Sequence, residues 1–135
     1  MRRILTLLIL AAACLGARGQ HPAPEEYIYP IRDVEGLYSA NFGEMRPAHF
    51  HAGIDIKTDG AEGKPLVAVA DGYVSRVSVS PSGYGRAIYL TLGNGTTAVY
   101  GHLQRFRSNI EKHVRDERFR RRANSVDLWF GPGAW

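Results

Sequence analysis

Pro65-Leu66-Val67-Ala68-Val69-Ala70-Asp71-Gly72-Tyr73-Val74-Ser75-Arg76-Val77-Ser78-Val79 is the stretch that decides the fold. Its five valines are branched at Cβ, which restricts the side chain in a helix and packs well on a pleated surface. Asp71-Gly72 stands between two such runs as a turn signal, so the stretch predicts a β-hairpin. Pro81-Ser82-Gly83-Tyr84-Gly85 then reads as a turn, Ala87 to Leu92 as a strand, Gly93-Asn94-Gly95 as a tight turn, and Thr96 to His102 as a fourth strand. Four strands in under forty residues leave no room for the crossover that a parallel pair needs. The expected fold is therefore mainly β, with antiparallel pairing and short connections.

Outward from this centre the pattern weakens. From Leu37 to Ile56, Tyr, Phe and Ile alternate with Asn41, Gly43, Pro47 and Gly53, as short strands broken by turns would. Beyond Gln104 the period changes: Ser108-Asn109-Ile110-Glu111 has capping-box spacing, and Ile110, Val114 and Phe119 recur about once per turn or two, predicting a helix from Asn109 to Arg122. Eight basic and three acidic residues lie between Arg105 and Arg122, a charge run read first as a solvated face, with anionic wall polymers as a second reading. Val126-Asp127-Leu128-Trp129-Phe130 alternates like one more strand, and Gly131-Pro132-Gly133 follows as a turn signal where another strand is expected to begin.

The N-terminus reads as an address. Met1-Arg2-Arg3 gives a positive start, Ile4 to Ala13 an apolar run too short to span a bilayer, and Ala17-Arg18-Gly19 a small-residue cleavage site, so residues 1–19 are expected to be a signal peptide and the protein to be exported to the periplasm or cell wall. Ala11-Ala12-Ala13-Cys14 is a looser match to a lipoprotein signal, in which Cys14 would carry a lipid anchor; Ala rather than Leu three places before the cysteine ranks it second. Cleavage after Gly19 removes Arg2, Arg3 and Arg18, so the net charge of +4 falls to +1 and most of the basic character belongs to the signal. It also removes Cys14, the single cysteine, and with it any disulfide or thiolate metal site. Residues 20–36, rich in Pro and Glu at their start, read as a linker, and residues 37–135 as one domain.

A metal would then have to be held by His and carboxylate. His51 and Asp55 are separated by three residues that include flexible Gly53, and can turn toward one point if a strand ends between them. Imidazole and carboxylate suit a catalytic Zn²⁺ site, which takes three protein ligands and leaves a position for water. A His-x-x-x-Asp pair is common by chance and more often makes a surface hydrogen bond, so the neighbouring sequence has to decide.

It does so through four ordered blocks: His49-Phe50-His51-Ala52-Gly53-Ile54-Asp55-Ile56, Gly63-Lys64-Pro65-Leu66-Val67-Ala68-Val69-Ala70-Asp71-Gly72-Tyr73-Val74, Gly83-Tyr84-Gly85 and Tyr100-Gly101-His102-Leu103. In order and spacing, from about Leu37 to Leu103, they resemble the lysostaphin and LytM-type zinc metallopeptidases. The resemblance implies a small antiparallel β core of the duplicated hybrid motif type, Zn²⁺ held by His51 and Asp55, His102 as a catalytic histidine, and hydrolysis of peptide bonds in peptidoglycan. The sequence departs from the family where a later His-x-His pair should supply the third zinc ligand. His113 is the one later histidine, alone in the predicted helix and read as a helix-surface residue. His49 shares a strand face with His51 and is a lesser candidate for the missing ligand. The expectation is thus the front portion of a zinc endopeptidase, cut short before its third ligand. Its alternative is a catalytically degenerate wall-binding or regulatory module of the same fold. A lipoyl or biotinyl carrier, suggested by Val69 to Val74, lacks the lysine at a hairpin tip, since none lies between Lys64 and Lys112.

Overall fold

The structure, a computed structural model, describes residues 26–34 and 36–135. The signal-like segment 1–19, Cys14 and His21 lie outside the described residues. The elements run β1 (Tyr38–Ala40), β2 (Asp55–Ile56), β3 (Gly72–Val79), β4 (Arg86–Leu92), β5 (Thr97–Tyr100), α1 (Ser108–Arg121) and β6 (Val126–Trp129). β1 and β2 form a small antiparallel pair, and the remaining strands form an antiparallel sheet in the order β5-β4-β3-β6. The protein is mainly β, with six strands in two antiparallel sheets and one helix among the described residues, as the valine pattern predicts for the sheet.

β3 carries an irregularity that sets its facing. Val74 pairs with Leu90 and Arg76 with Tyr89, so Ser75 is an extra residue opposite one step of β4. Such a bulge shifts the alternation by one. It lets Val74 join Val77 and Val79 against the core while Arg76 points to the other face. Below the sheet, Val77, Val79, Val126 and Leu128 pack with Phe106, Ile110 and Val114 from the helix and its approach, and Val77 and Val114 are almost wholly enclosed. β6 alternates buried and exposed residues, with Val126 and Leu128 inward and Asp127 and Trp129 outward. On the outer face Arg76 lies between its two cross-strand partners, 4.6 Å from the Tyr89 ring and 4.7 Å from Trp129, and makes a forked pair with Asp127 at 2.6 and 2.8 Å.

α1 forms close to the predicted span, but its ends are built differently. The capping box on Ser108 does not form: Arg107 occupies the N-cap and makes no side-chain cap bond. Glu111 reaches back further, accepting from the Phe106 N–H at 3.0 Å and pairing with Arg86 of β4. The same Arg86 guanidinium lies 4.5 Å over the Phe106 ring, so one arginine ties sheet, loop and helix together. At the other end Arg122 takes a left-handed conformation (φ 50°), with its N–H on Phe119 O and the Ala123 N–H on Arg118 O, the bonding of a Schellman stop.

The expected Asp71-Gly72 hairpin is replaced by another arrangement. Leu66 makes only an isolated bridge to Ile31, and residues 28–30 lie along 67–69 through Ile28 N–H to Val69 O and Val67 N–H to Pro30 O. Gly72 is the first residue of β3, and its value is closeness rather than turning: a Cβ there would collide with the Thr91 carbonyl and stand 3.0 Å from Leu92 Cα. β5 is shorter than predicted because the chain turns sharply at His102, where φ is +55°. His113 is no simple helix-surface residue. It is half-buried, with its ring 5.7 Å from Phe130 and 5.9 Å from Trp135, the last two also meeting at 5.9 Å.

Candidate metal centre

The first candidate ligand is fixed by a turn and a short ladder. Asn41 to Glu44 turns with Gly43 at φ +77°, a conformation that favours glycine, and the chain then runs out and back. The return strand places the His51 N–H on Glu44 O and the His51 carbonyl on the Gly43 N–H, both at 2.8 Å, with Met45 bridging Phe50 further out. The ring itself is held as well: Nδ1 lies 3.0 Å from the Asn41 carbonyl. A carbonyl only accepts, so Nδ1 carries the proton in that bond and the lone pair is left on Nε2.

Nε2 faces Asp55 Oδ1 at 3.3 Å. Asp55 opens β2, pairs with Ala40 of β1, and has its backbone carbonyl capped by Ser39 Oγ. Its second oxygen, Oδ2, accepts from Arg46 NH2 at 3.1 Å, and the same guanidinium nitrogen stands 4.0 Å from Glu44. Each side chain of the pair thus has one atom committed to the protein and one presented toward the other. Two ligands on a tetrahedral zinc, bonded at about 2.0–2.1 Å, stand about 3.3 Å apart. The donor types, their spacing and the carbonyl behind the imidazole fit that ion, for which such outer contacts usually set the ligand orientation.

The structure brings together His51 and Asp55. Among the described residues no third His, Cys, Asp or Glu joins the pair in a metal-sized cluster. His49 sits exposed beside the ladder's outer turn, its carbonyl accepting from the Arg46 N–H. His102 is exposed, its N–H bonded to Tyr84 O at 2.8 Å, and its Nδ1 is the neighbour that a Cβ on Gly85 would meet at 3.9 Å. Tyr84 and Gly85 also line an open groove of about 500 Å³ across the outer sheet face, with Arg76, Tyr89, Arg121 and Asp127. Neither His51 nor Asp55 lines it.

Two residues of the centre escape a reading of the sequence. Asn41 acts through its backbone carbonyl, which any residue would supply, so spacing gives no signal for it. Arg46 becomes recognisable only when the Met45–Phe50 bridge carries it back over Asp55.

The family model of Peptidase family M23 matches residues 49–118, just over half of the chain, beginning at the histidine ladder and ending within α1. The chain belongs to that peptidase family, the one its four sequence blocks resemble. No curated protein and no solved structure matches the chain.

Proposed function

We propose that this chain carries part of a zinc endopeptidase centre directed at the peptides of bacterial peptidoglycan, with His51 and Asp55 as ligands, His102 as the catalytic histidine, and a third ligand from outside the described residues. The observation that carries the reading is the 3.3 Å approach of His51 Nε2 to Asp55 Oδ1, with Nδ1 and Oδ2 each occupied elsewhere. Zinc, when bound, supplies Lewis acidity that polarises a peptide carbonyl and brings water within reach of ionisation near neutral pH. His51 keeps its proton on Nδ1 against Asn41 O, which holds the ring plane and the Nε2 lone pair in place. Arg46 limits Asp55 to presenting one oxygen. The exposed His102 imidazole would take a proton from the attacking water and return it to the departing peptide nitrogen as the C–N bond breaks. The signal-like residues 1–19 support action outside the cytoplasm, where such walls are met.

Zinc uptake by the full chain tests this. After dialysis against zinc and then buffer, metal analysis should find weak, less than equimolar retention that His51→Ala and Asp55→Asn both abolish and His102→Ala leaves intact. Equal retention in all four proteins would sink the ligand pair. Equimolar, chelator-resistant zinc together with wall-lytic activity in the 135-residue chain would overturn the need for an outside ligand. The absence of a third donor beside the pair among the described residues favours one other reading, a non-catalytic wall-binding module. That reading predicts binding to isolated walls with no zinc effect and no released peptide.

A further inference from the structure

α1 turns one side to the core and a very different one to solvent. Ile110 and Val114 are buried, and at about 100° per residue Phe119 lies diametrically opposite Ile110 on the helix. Phe119 is 87% exposed, the most exposed large apolar side chain among the described residues. Arg115, Arg118 and Arg122 follow the i, i+3, i+7 stripe beside it, and with Phe119, Ala123 and Asn124 they line an open hollow of about 480 Å³.

The charges of this stripe are poorly compensated. Glu117 is shared by Arg120 and Arg121, and Asp116 by Lys112 at 2.5 Å and, distantly, Arg115 at 4.0 Å. Among the described residues no carboxylate pairs with Arg118 or Arg122, and Arg118 Nε is shielded from solvent without an acceptor. A merely solvated face explains arginines in water. It does not explain an exposed aromatic ring standing beside them.

We propose that this outer face of α1 docks on an anionic lipid surface, Phe119 entering the boundary between headgroups and acyl chains while Arg115, Arg118 and Arg122 meet lipid phosphates. Charge complementarity alone would suit any polyanion, but an exposed phenyl ring gains only where an apolar layer lies beneath the anions. The helix has no broad apolar face outward, so the attachment is peripheral and electrostatic, with one aromatic wedge. Each arginine near such a surface multiplies the partition coefficient by about five.

The test uses the full chain and phosphatidylcholine vesicles with and without about 30% phosphatidylglycerol, enough anionic lipid to attract a basic face. Because the apolar stretch Ile4 to Ala13 adds to the binding of both kinds of vesicle, binding is read as the preference for anionic over neutral vesicles, and the emission probe is placed at the helix. Phe119→Trp should give a blue-shifted emission, quenched by bromolipid, relative to the parent with Trp129 and Trp135 alone, and only with the anionic vesicles. Arg115→Gln combined with Arg122→Asn, the latter chosen because Asn accepts a positive φ, should lower binding roughly 25-fold and abolish that shift. Phe119→Ala should weaken anionic-vesicle binding while leaving the circular dichroism spectrum unchanged. An emission from the Phe119→Trp protein that stays unshifted with anionic vesicles overturns the proposal. So does binding of soluble polyphosphate as tight as vesicle binding and indifferent to Phe119→Ala, which would make the partner an anionic polymer.

Discussion

Glu111→Gln tests whether a single carboxylate clamps the helix to the sheet. Glu111 accepts from the Phe106 N–H at 3.0 Å and pairs with Arg86, whose Nε is already buried without an acceptor. Glutamine keeps an oxygen for Phe106 but removes the charge that Arg86 meets. A hydrogen bond to a charged group contributes about 1.5–3 kcal/mol. The side chains are 36% and 23% exposed, so solvent screening brings the loss to the lower end, about 1.5 kcal/mol. For a domain near 100 residues that lowers Tm by roughly 8 °C. The pH dependence adds a second check. Burial pushes the Glu111 carboxyl up, but the Phe106 N–H and Arg86 outweigh it and hold the group below its ordinary 4.5. A carboxyl lowered on folding stabilises fully above its unfolded pKa, and that contribution is lost as pH falls through the folded value. Thermal unfolding followed by circular dichroism should therefore show the wild-type advantage at about pH 7 and a narrowing gap below about pH 4. Equal Tm values at neutral pH, or a gap that persists undiminished well below the carboxylate range, would refute the clamp.

Two further substitutions probe the packing of the larger sheet and its helix. Val114→Ala removes two buried carbon groups from a residue 1% exposed and should cost about 2–3 kcal/mol in urea unfolding, transfer and cavity terms together. Gly72→Ala forces a Cβ against the Thr91 carbonyl and Leu92 Cα, backbone atoms that cannot swing aside, so a loss of at least about 3 kcal/mol or failure to fold is expected, read by the same unfolding curve.

What could be read from the sequence follows from how local each signal is. β6 declares itself because its alternation is set by one buried face, β4 because a run of mostly apolar residues stands between two turn signals, and α1 because Ile110 and Val114 recur one turn apart. Asp71-Gly72 misleads because glycine answers two different demands, a reversed φ or a close approach, and the one at work depends on Thr91, far away in sequence. Ser108 misleads as a cap because Glu111 finds the Phe106 N–H and Arg86 instead, and Arg86 comes from another strand. In the site, the His51–Asp55 spacing is local and legible. Its supports are not, since Asn41 contributes only backbone and Arg46 arrives through a fold-back of the chain.

His102 bonds Tyr84 from a left-handed backbone at φ +55°. Glycine would adopt that conformation without penalty, whereas a residue with a Cβ gives up about 1 kcal/mol to hold it. Optimised for durability alone, the position would have no side chain. On the role proposed for His102, persistence of the fold and usefulness of the residue pull in opposite directions there, and His102→Gly is expected to trade one for the other.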